Sequence, residues 1–151
     1  MFNRWLEIPE HKSCLIIGPR RSGKTTLLKS RYPELPYATL DDLDFLEWAK
    51  KDAKGFIQHL GKHAIIDEIQ RHPSLTIAIK YAIDNENARF LMTGSSTIGL
   101  MDAAADTLAG RIEIVSLPAA CWGEDYGRPA HLIFHEVASS LQLKEAGRRI
   151  K

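Results

Sequence analysis

The residue types best suited to chemistry stand together at residues 18–25, in the segment GPRRSGKT. Two glycines with four residues between them, followed by lysine and threonine, match the G-x-x-x-x-G-K-[ST] pattern of phosphate-binding loops. Glycine lets such a backbone turn its N–H groups toward phosphate oxygens, and the following helix directs its N-terminal dipole to the same place. We expect Lys24 to reach the β- and γ-phosphates of ATP and Thr25 to offer its hydroxyl to Mg²⁺.

The nucleotide-binding set that this Walker A pattern predicts extends beyond lysine and threonine. It comprises Gly18, Pro19, Arg20, Arg21, Ser22, Gly23, Lys24, Thr25 and Thr26. The two arginines either add positive potential or are solvated loop residues, and the second reading is favoured for Arg21. Thr26 is expected to support the helix. A glycine turn with a chance lysine is the alternative, but the apolar run before the loop and the helix formers after it argue against that reading.

An acid pair, Asp67 and Glu68, follows the apolar residues 64–66. In this Walker B position Asp67 is expected to hold Mg²⁺ through a water or the Thr25 hydroxyl. Glu68 is then placed to act as the general base that polarises a water for attack on the γ-phosphate. Two solvated acids at a strand end are the alternative. Because a small-molecule kinase does not require a base for water, the pair favours ATP hydrolysis over phosphate transfer to an acceptor.

Thr93 and Arg111 complete the predicted catalytic set with Glu68 and Lys24. Thr93 ends an apolar run, where a hydroxyl could contact the γ-phosphate or the attacking water; the alternative is a turn whose serines, Ser95 or Ser96, cap the next helix. Arg111 precedes the last predicted strand, and an arginine near the nucleotide can neutralise charge on the phosphoryl group in its own subunit or a neighbour's. A surface arginine is the alternative.

The elements that must position these residues alternate along the chain as far as about residue 118. Strands are predicted at residues 14–18, 36–40, 63–70, 89–96 and 111–118. Three helical regions are predicted. The first follows the phosphate loop, the second begins at an Asp41 or Asp42 cap and is continued by the segment GFIQHL, and the third begins after a Ser74 cap. This alternation predicts an α/β domain with a mainly parallel sheet, whose strand carboxyl ends meet at one ligand-binding edge. The loop, the acid pair and the TGSS turn are expected to converge there.

Composition limits the classes of partner and the cellular location that we expect for the protein. The 151 residues are 44% hydrophobic and 26% charged with a net charge of +1, so no nucleic-acid partner is indicated. Two cysteines are too few for a disulfide framework. No segment has the apolar core of a signal peptide or the roughly 20 apolar residues of a membrane span. We therefore expect a cytoplasmic protein with no membrane partner.

The motifs together resemble those of a known family. GPRRSGKTTLL, YATLDD, HAIIDEIQRHPSL, RFLMTGSS and TLAGRIEIVSLP occur in that order across residues 12–118. Their order and spacing are similar to those of AAA+-type P-loop ATPases of bacteria and archaea, which are related to the AAA domain of archaeal-type ATPases. The resemblance implies a P-loop NTPase three-layer sandwich with sheet order 5-1-4-3-2. It also implies Lys24 and Thr25 on nucleotide and Mg²⁺, Asp67 on Mg²⁺, Glu68 as base, Thr93 or its neighbours as γ-phosphate sensor, and Arg111 as a candidate arginine finger.

Members of that family usually continue into a C-terminal domain of unknown function, and this chain looks truncated by comparison. We expect an ATPase core at residues 1–118 and a short tail at residues 119–151. The leading hypothesis is Mg²⁺-dependent ATP hydrolysis, with a second copy of the chain or another protein as candidate partner. A non-catalytic nucleotide-gated interaction module, or a remnant of a larger ATPase, is the first alternative. A small-molecule P-loop kinase is the second.

Overall fold

Five short strands form one parallel sheet in a computed structural model, which describes residues 6–95 and 98–119. The strands are β1 (Ser13–Ile17), β2 (Tyr37–Thr39), β3 (His63–Asp67), β4 (Arg89–Gly94) and β5 (Ile112–Ser116). Their order across the sheet is β2-β3-β4-β1-β5, and each adjacent pair is parallel. This order confirms the predicted 5-1-4-3-2 arrangement, which is the same order counted from the opposite edge of the sheet.

Five helices connect and cover these strands in the described part of the chain. They are α1 (Lys24–Arg31), α2 (Leu43–Lys51), α3 (Ala53–Leu60), α4 (Thr76–Glu86) and α5 (Ile98–Leu108). The step from β1 to β2 runs across the sheet in one direction and the later steps run in the other. Right-handed crossovers therefore place α1 on one face and the other helices on the opposite face. Consistent with this, α4 packs against both α3 and α5.

The hydrophobic core lies between the sheet and the layer that contains α3, α4 and α5. Phe56 of α3 and Ile79 of α4 are fully buried there, as are Ile66 and Phe90 of the central strands. Strands β1, β3 and β4 are buried along almost their whole length, which explains why their sequences are continuous apolar runs. Residues 8–119 form one compact unit built on this core.

Three local predictions differ from the structure. The strand predicted at residues 63–70 ends at Asp67, because Glu68 has a left-handed backbone (φ 60°) and a 3₁₀ turn follows at Ile69–Arg71. The helical region after Asp42 is two helices, since the Asp52 carboxylate accepts the Gly55 N–H at 2.8 Å and starts α3 afresh.

Ser74 is not the cap of α4. It lies in a second 3₁₀ turn (Pro73–Leu75), its hydroxyl is 3.3 Å from His72 Nδ1, and α4 begins at Thr76. The Asp42 cap is confirmed, because its carboxylate accepts the N–H groups of Asp44 and Phe45. Ser96, which the alternative reading of the TGSS turn offered as a helix cap, lies outside the described residues, as do Cys121 and the predicted tail beyond residue 119. Across residues 6–95 and 98–119, none of the helices has the length and apolar character to span a membrane.

Candidate active site

The loop between β1 and α1 begins where the backbone has no room for a side chain. A Cβ placed on Gly18 would lie 2.1 Å from the carbonyl oxygen of Leu117, a backbone atom. That segment is fixed in place, because the Leu117 N–H donates to the Ile17 carbonyl at 2.7 Å just beyond β5. Glycine at position 18 therefore lets the loop leave the sheet against the end of β5.

The same loop has the backbone pattern of an anion-binding site. Arg21 (φ 63°) and Gly23 (φ 89°) are left-handed and flank Ser22, and such alternation turns successive N–H groups into a concave nest. Gly23 is the N-cap of α1 and gives it no side-chain hydrogen bond, so no side-chain cap competes for the first turn of that helix. Arg20 and Arg21 are both exposed, as expected of solvated loop residues.

Lys24 bends back over this loop from the first turn of α1. Its Nζ donates to the carbonyl oxygens of Gly18 at 3.0 Å and Pro19 at 2.9 Å, and the residue is only 5% exposed. A buried ammonium requires such partners, because an unpaired charge would be costly away from water. These two hydrogen bonds hold the Lys24 ammonium group against the backbone of the phosphate loop.

Asp67 is the centre of the polar network at the carboxyl edge of the sheet. Its carboxylate accepts from three hydroxyls: Thr25 Oγ1 at 2.9 and 3.0 Å, Tyr37 at 2.8 Å, and Thr93 Oγ1. The residue is 4% exposed. The three donors come from α1, β2 and β4, so the carboxylate connects three elements around the end of β3.

Tyr37 is a site residue that the sequence analysis missed. It opens β2 and pairs with Ile65 in the sheet, yet its long side chain extends along the strand as far as Asp67. Burial, together with the hydrogen bond to Asp67, raises the pKa of the Tyr37 phenol above its ordinary value, so the hydroxyl stays a donor. The Lys29 ammonium lies 3.5 Å from the centre of the Tyr37 ring, and this cation–π contact helps to hold the ring in place.

Glu68 stands between the strand ends and the phosphate loop. Its N–H donates to Thr93 Oγ1 at 3.2 Å, and its carboxylate accepts from the Gln70 amide. Glu68 also faces a cleft of about 220 Å³, whose other lining residues are Arg21, Gly23, Lys24, Thr25 and Thr26. The acid next to Asp67 and the phosphate loop therefore share one open cleft.

The donor set of this cleft fits a nucleotide and Mg²⁺. Mg²⁺ prefers hard oxygen ligands, which the Thr25 hydroxyl and the Asp67 carboxylate supply at hydrogen-bond distance from each other. A phosphate fits the nest at Arg21 and Gly23 and the start of α1. Lys24 adds the positive charge that polyphosphate requires.

Comparison with known proteins agrees with this geometry. A family model described as an AAA domain matches residues 10–125, which is more than half of the chain. This chain belongs to the AAA domain family. Two curated relatives of the AAA domain, uncharacterized proteins of Mycobacterium bovis and Mycobacterium tuberculosis, are each 35% identical to it over 106 residues. That alignment covers 68% of this chain and 24% of each relative, so the chain spans about a quarter of their length.

Thr93 of the AAA domain is in the network, through contacts that the sequence analysis did not predict. The side chain is fully buried, its hydroxyl donates to Asp67 and its oxygen accepts from the Glu68 N–H. The observed partners of the hydroxyl are therefore the Asp67 carboxylate and the Glu68 backbone N–H. Contact between Thr93 and a γ-phosphate stays a prediction.

Arg111 of the AAA domain is not near the phosphate loop of its own chain. It precedes β5, which is parallel to β1, and so lies at the amino edge of the sheet, opposite the phosphate loop. There its guanidinium donates to both carboxylate oxygens of Asp84 on α4, at 2.6 and 2.9 Å. The prediction that Arg111 serves the nucleotide of its own subunit therefore does not agree with the structure, because a residue before a parallel strand lies at the other end of the sheet. Service to a neighbouring subunit stays a prediction.

Proposed function

We propose that this AAA domain binds ATP with Mg²⁺ and hydrolyses it to ADP and phosphate. Membership of the family supports a nucleotide-binding, ATPase-like protein. Hydrolysis is supported chiefly by one feature, the network in which Thr25, Asp67, Thr93 and Glu68 are hydrogen-bonded in series beside Lys24. A site that only binds a nucleotide does not require Glu68, a second acid beside Asp67, on the cleft.

In this proposal the phosphate loop holds the triphosphate. The nest at Arg21 and Gly23 and the first turn of α1 donate N–H groups to phosphate oxygens. Lys24 exchanges its two carbonyl contacts for the β- and γ-phosphates, a short movement of a flexible side chain. Pro19, Arg20, Ser22 and Thr26 complete the loop around these groups.

Thr25 and Asp67 would hold Mg²⁺. When bound, the ion would neutralise charge on the β- and γ-phosphate oxygens. The Thr25 hydroxyl and the Asp67 carboxylate already lie together, so the chain orders the ligand oxygens beforehand. Tyr37 and Thr93 hold the same carboxylate from two other strands and limit its rotation.

Glu68 would act as the general base. Its carboxylate orients a water molecule and takes a proton as the water oxygen bonds to the γ-phosphorus. The bond from that phosphorus to the β–γ bridging oxygen breaks, and ADP leaves with the electron pair. Lys24 remains beside the phosphates and stabilises the charge that develops on their oxygens. Thr93 holds the Glu68 backbone and, in this account, serves as a positioning residue.

Phosphate release from ATP, measured with and without candidate acceptors, tests the proposal. Hydrolysis predicts phosphate release that needs Mg²⁺, does not depend on an acceptor, and disappears in Glu68→Gln. ATP affinity without release above background would instead support a nucleotide-gated interaction module. Transfer of the γ-phosphate to an acceptor would support a kinase.

A further inference from the structure

The Gln70 side chain joins the proposed base to the end of a different strand. Gln70 lies in the 3₁₀ turn Ile69–Arg71, two residues after Glu68. Its Nε2 donates to Glu68 Oε2, and its Oε1 accepts the Ser95 N–H at 3.2 Å. Ser95 directly follows β4, so one amide connects the acid at the end of β3 with the turn at the end of β4.

The chemistry of the two partners fixes the orientation of this amide. A carboxylate can only accept hydrogen bonds and a backbone N–H can only donate them. Rotating the Gln70 amide by half a turn would break both interactions at once, so only one orientation satisfies both neighbours. A single side chain with one donor end and one acceptor end is what this position requires.

The surrounding backbone holds Gln70 in place. The Arg71 N–H closes the turn onto the Glu68 carbonyl at 3.0 Å, and Arg71 Nε donates to Asp41 at 2.7 Å. Ile69 is buried and anchors the turn in the core. A Cβ on Gly94 would lie 3.1 Å from Gln70 Oε1 and 2.4 Å from Leu100 Cδ2, so glycine at position 94 leaves room for this side chain.

We propose that Gln70 is a positioning residue that sets the orientation of the Glu68 carboxylate, an inference that rests on the proposed hydrolysis. Glu68 is held at two points: Thr93 accepts its N–H, and Gln70 donates to its carboxylate. Both holders are tied to the end of β4, Thr93 as part of that strand and Gln70 through Ser95. The position of the base is thereby coupled to the β4 end of the site.

Two substitutions separate the two ends of the amide. Gln70→Glu keeps an acceptor for Ser95 but places a second carboxylate against Glu68, whereas Gln70→Leu has a similar size and removes both interactions. We expect kcat for phosphate release to fall by about 10- to 100-fold in both variants, the order associated with a base displaced by about 1 Å. The KM for ATP should stay within about twofold of the wild-type value, because Gln70 is not among the residues that line the cleft at the phosphate loop. Gln58→Leu, an exposed position on α3, is the matched control and should change neither constant.

A double mutant tests whether Gln70 acts through Glu68. In a Glu68→Asp background, which keeps a carboxylate but draws it back from the Gln70 amide, Gln70→Leu should cause a much smaller loss in single-turnover hydrolysis than in the wild type, since residues that act as one unit are not additive. Independently of turnover, hydrogen exchange of the Ser95 amide should be faster in Gln70→Leu and remain slow in Gln70→Glu. A structural defect would instead speed exchange across the core amides.

The results distinguish this inference from the proposed function. Wild-type protein that releases no phosphate would overturn the hydrolysis proposal and the inference together. Wild-type protein that hydrolyses ATP, with Gln70→Leu and Gln70→Glu at the same kcat, would overturn the inference alone. A Gln70→Leu loss of equal size in the wild type and in the Glu68→Asp background would also overturn it, because Gln70 would then act by another route.

Discussion

Removing one hydroxyl from Tyr37 tests how the Asp67 carboxylate is held. Tyr37→Phe deletes only the donor at 2.8 Å from Asp67 Oδ2. The ring remains, so its packing and its contact with the Lys29 ammonium at 3.5 Å are retained. Asp67 keeps the hydroxyls of Thr25 and Thr93, and the change therefore loosens the carboxylate without leaving it unpartnered.

The size of the effect follows from the charge of the acceptor. A hydrogen bond to a charged group contributes about 1.5–3 kcal/mol to stability. Part of that energy will be recovered, because water can replace the lost donor and the Thr25 hydroxyl already lies 3.0 Å from the same oxygen. Loss of a group that orients a metal ligand typically weakens metal binding by about 10- to 100-fold. We expect the Mg²⁺ concentration for half-maximal phosphate release in Tyr37→Phe to rise by about tenfold, with ATP affinity in EDTA unchanged.

Two measurements read out this prediction. One is a Mg²⁺ titration of phosphate release at saturating ATP, and the other compares the affinity for a fluorescent ATP analogue with Mg²⁺ and with EDTA. Tyr81→Phe is the matched control, because Tyr81 lies half-exposed on α4 and contacts Lys54 rather than the acid pair. A Mg²⁺ requirement in Tyr37→Phe equal to that of the wild type would refute the role given to this hydroxyl.

Three further predictions concern the loop, the buried thiol and the distant arginine. Gly18→Ala should lower the free energy of unfolding by about 1–3 kcal/mol and weaken ATP binding, because its Cβ must move away from the Leu117 oxygen 2.1 Å away; denaturant unfolding that matches the wild type would contradict this. Burial and the charge of Glu113 raise the pKa of the Cys14 thiol to about 11. The folded state therefore holds this proton more tightly than the unfolded state does. The resulting contribution to the free energy of unfolding is complete below the unfolded pKa and is lost as pH rises toward 11. In a Cys121→Ala variant at about pH 8, iodoacetamide should modify Cys14 only after unfolding, as mass spectrometry would show; rapid labelling of the native protein would be the contrary result. If Arg111 serves a neighbouring subunit, Arg111→Ala and Glu68→Gln should each be inactive alone and regain phosphate release when mixed, whereas full activity of Arg111→Ala alone would exclude that role.

The sequence predicts the fold and the positions of the main motifs because their signals are local. The phosphate loop is one uninterrupted pattern, and the apolar runs of the central strands are continuous because both faces of those strands are buried. The rule that parallel strands direct their carboxyl ends to one edge then brings Asp67 and Thr93 to the loop. The same rule, applied to a residue that precedes a strand, places Arg111 at the far edge.

The contacts that the sequence does not predict depend on side-chain reach and on a single backbone torsion. Tyr37 begins its strand, and only the length of its side chain brings the hydroxyl to Asp67. Gln70 looks like the end of an apolar strand in the sequence. It joins the site because Glu68 is left-handed and the chain then turns within three residues. Neither feature has a signature in residue type or spacing, since Glu and Gln have no strong preference for such a turn.

ATP hydrolysis with Glu68 as the base is tested most directly by comparing wild type and Glu68→Gln under identical conditions, with bound ATP and released phosphate measured on the same samples. The substitution removes the ionisable carboxyl while keeping the size of the side chain, so ATP binding through Lys24 and the phosphate loop should persist. We predict undiminished ATP binding and phosphate release reduced to background in the variant. Phosphate release by Glu68→Gln at the wild-type rate would contradict the assignment of Glu68 as the base that activates water.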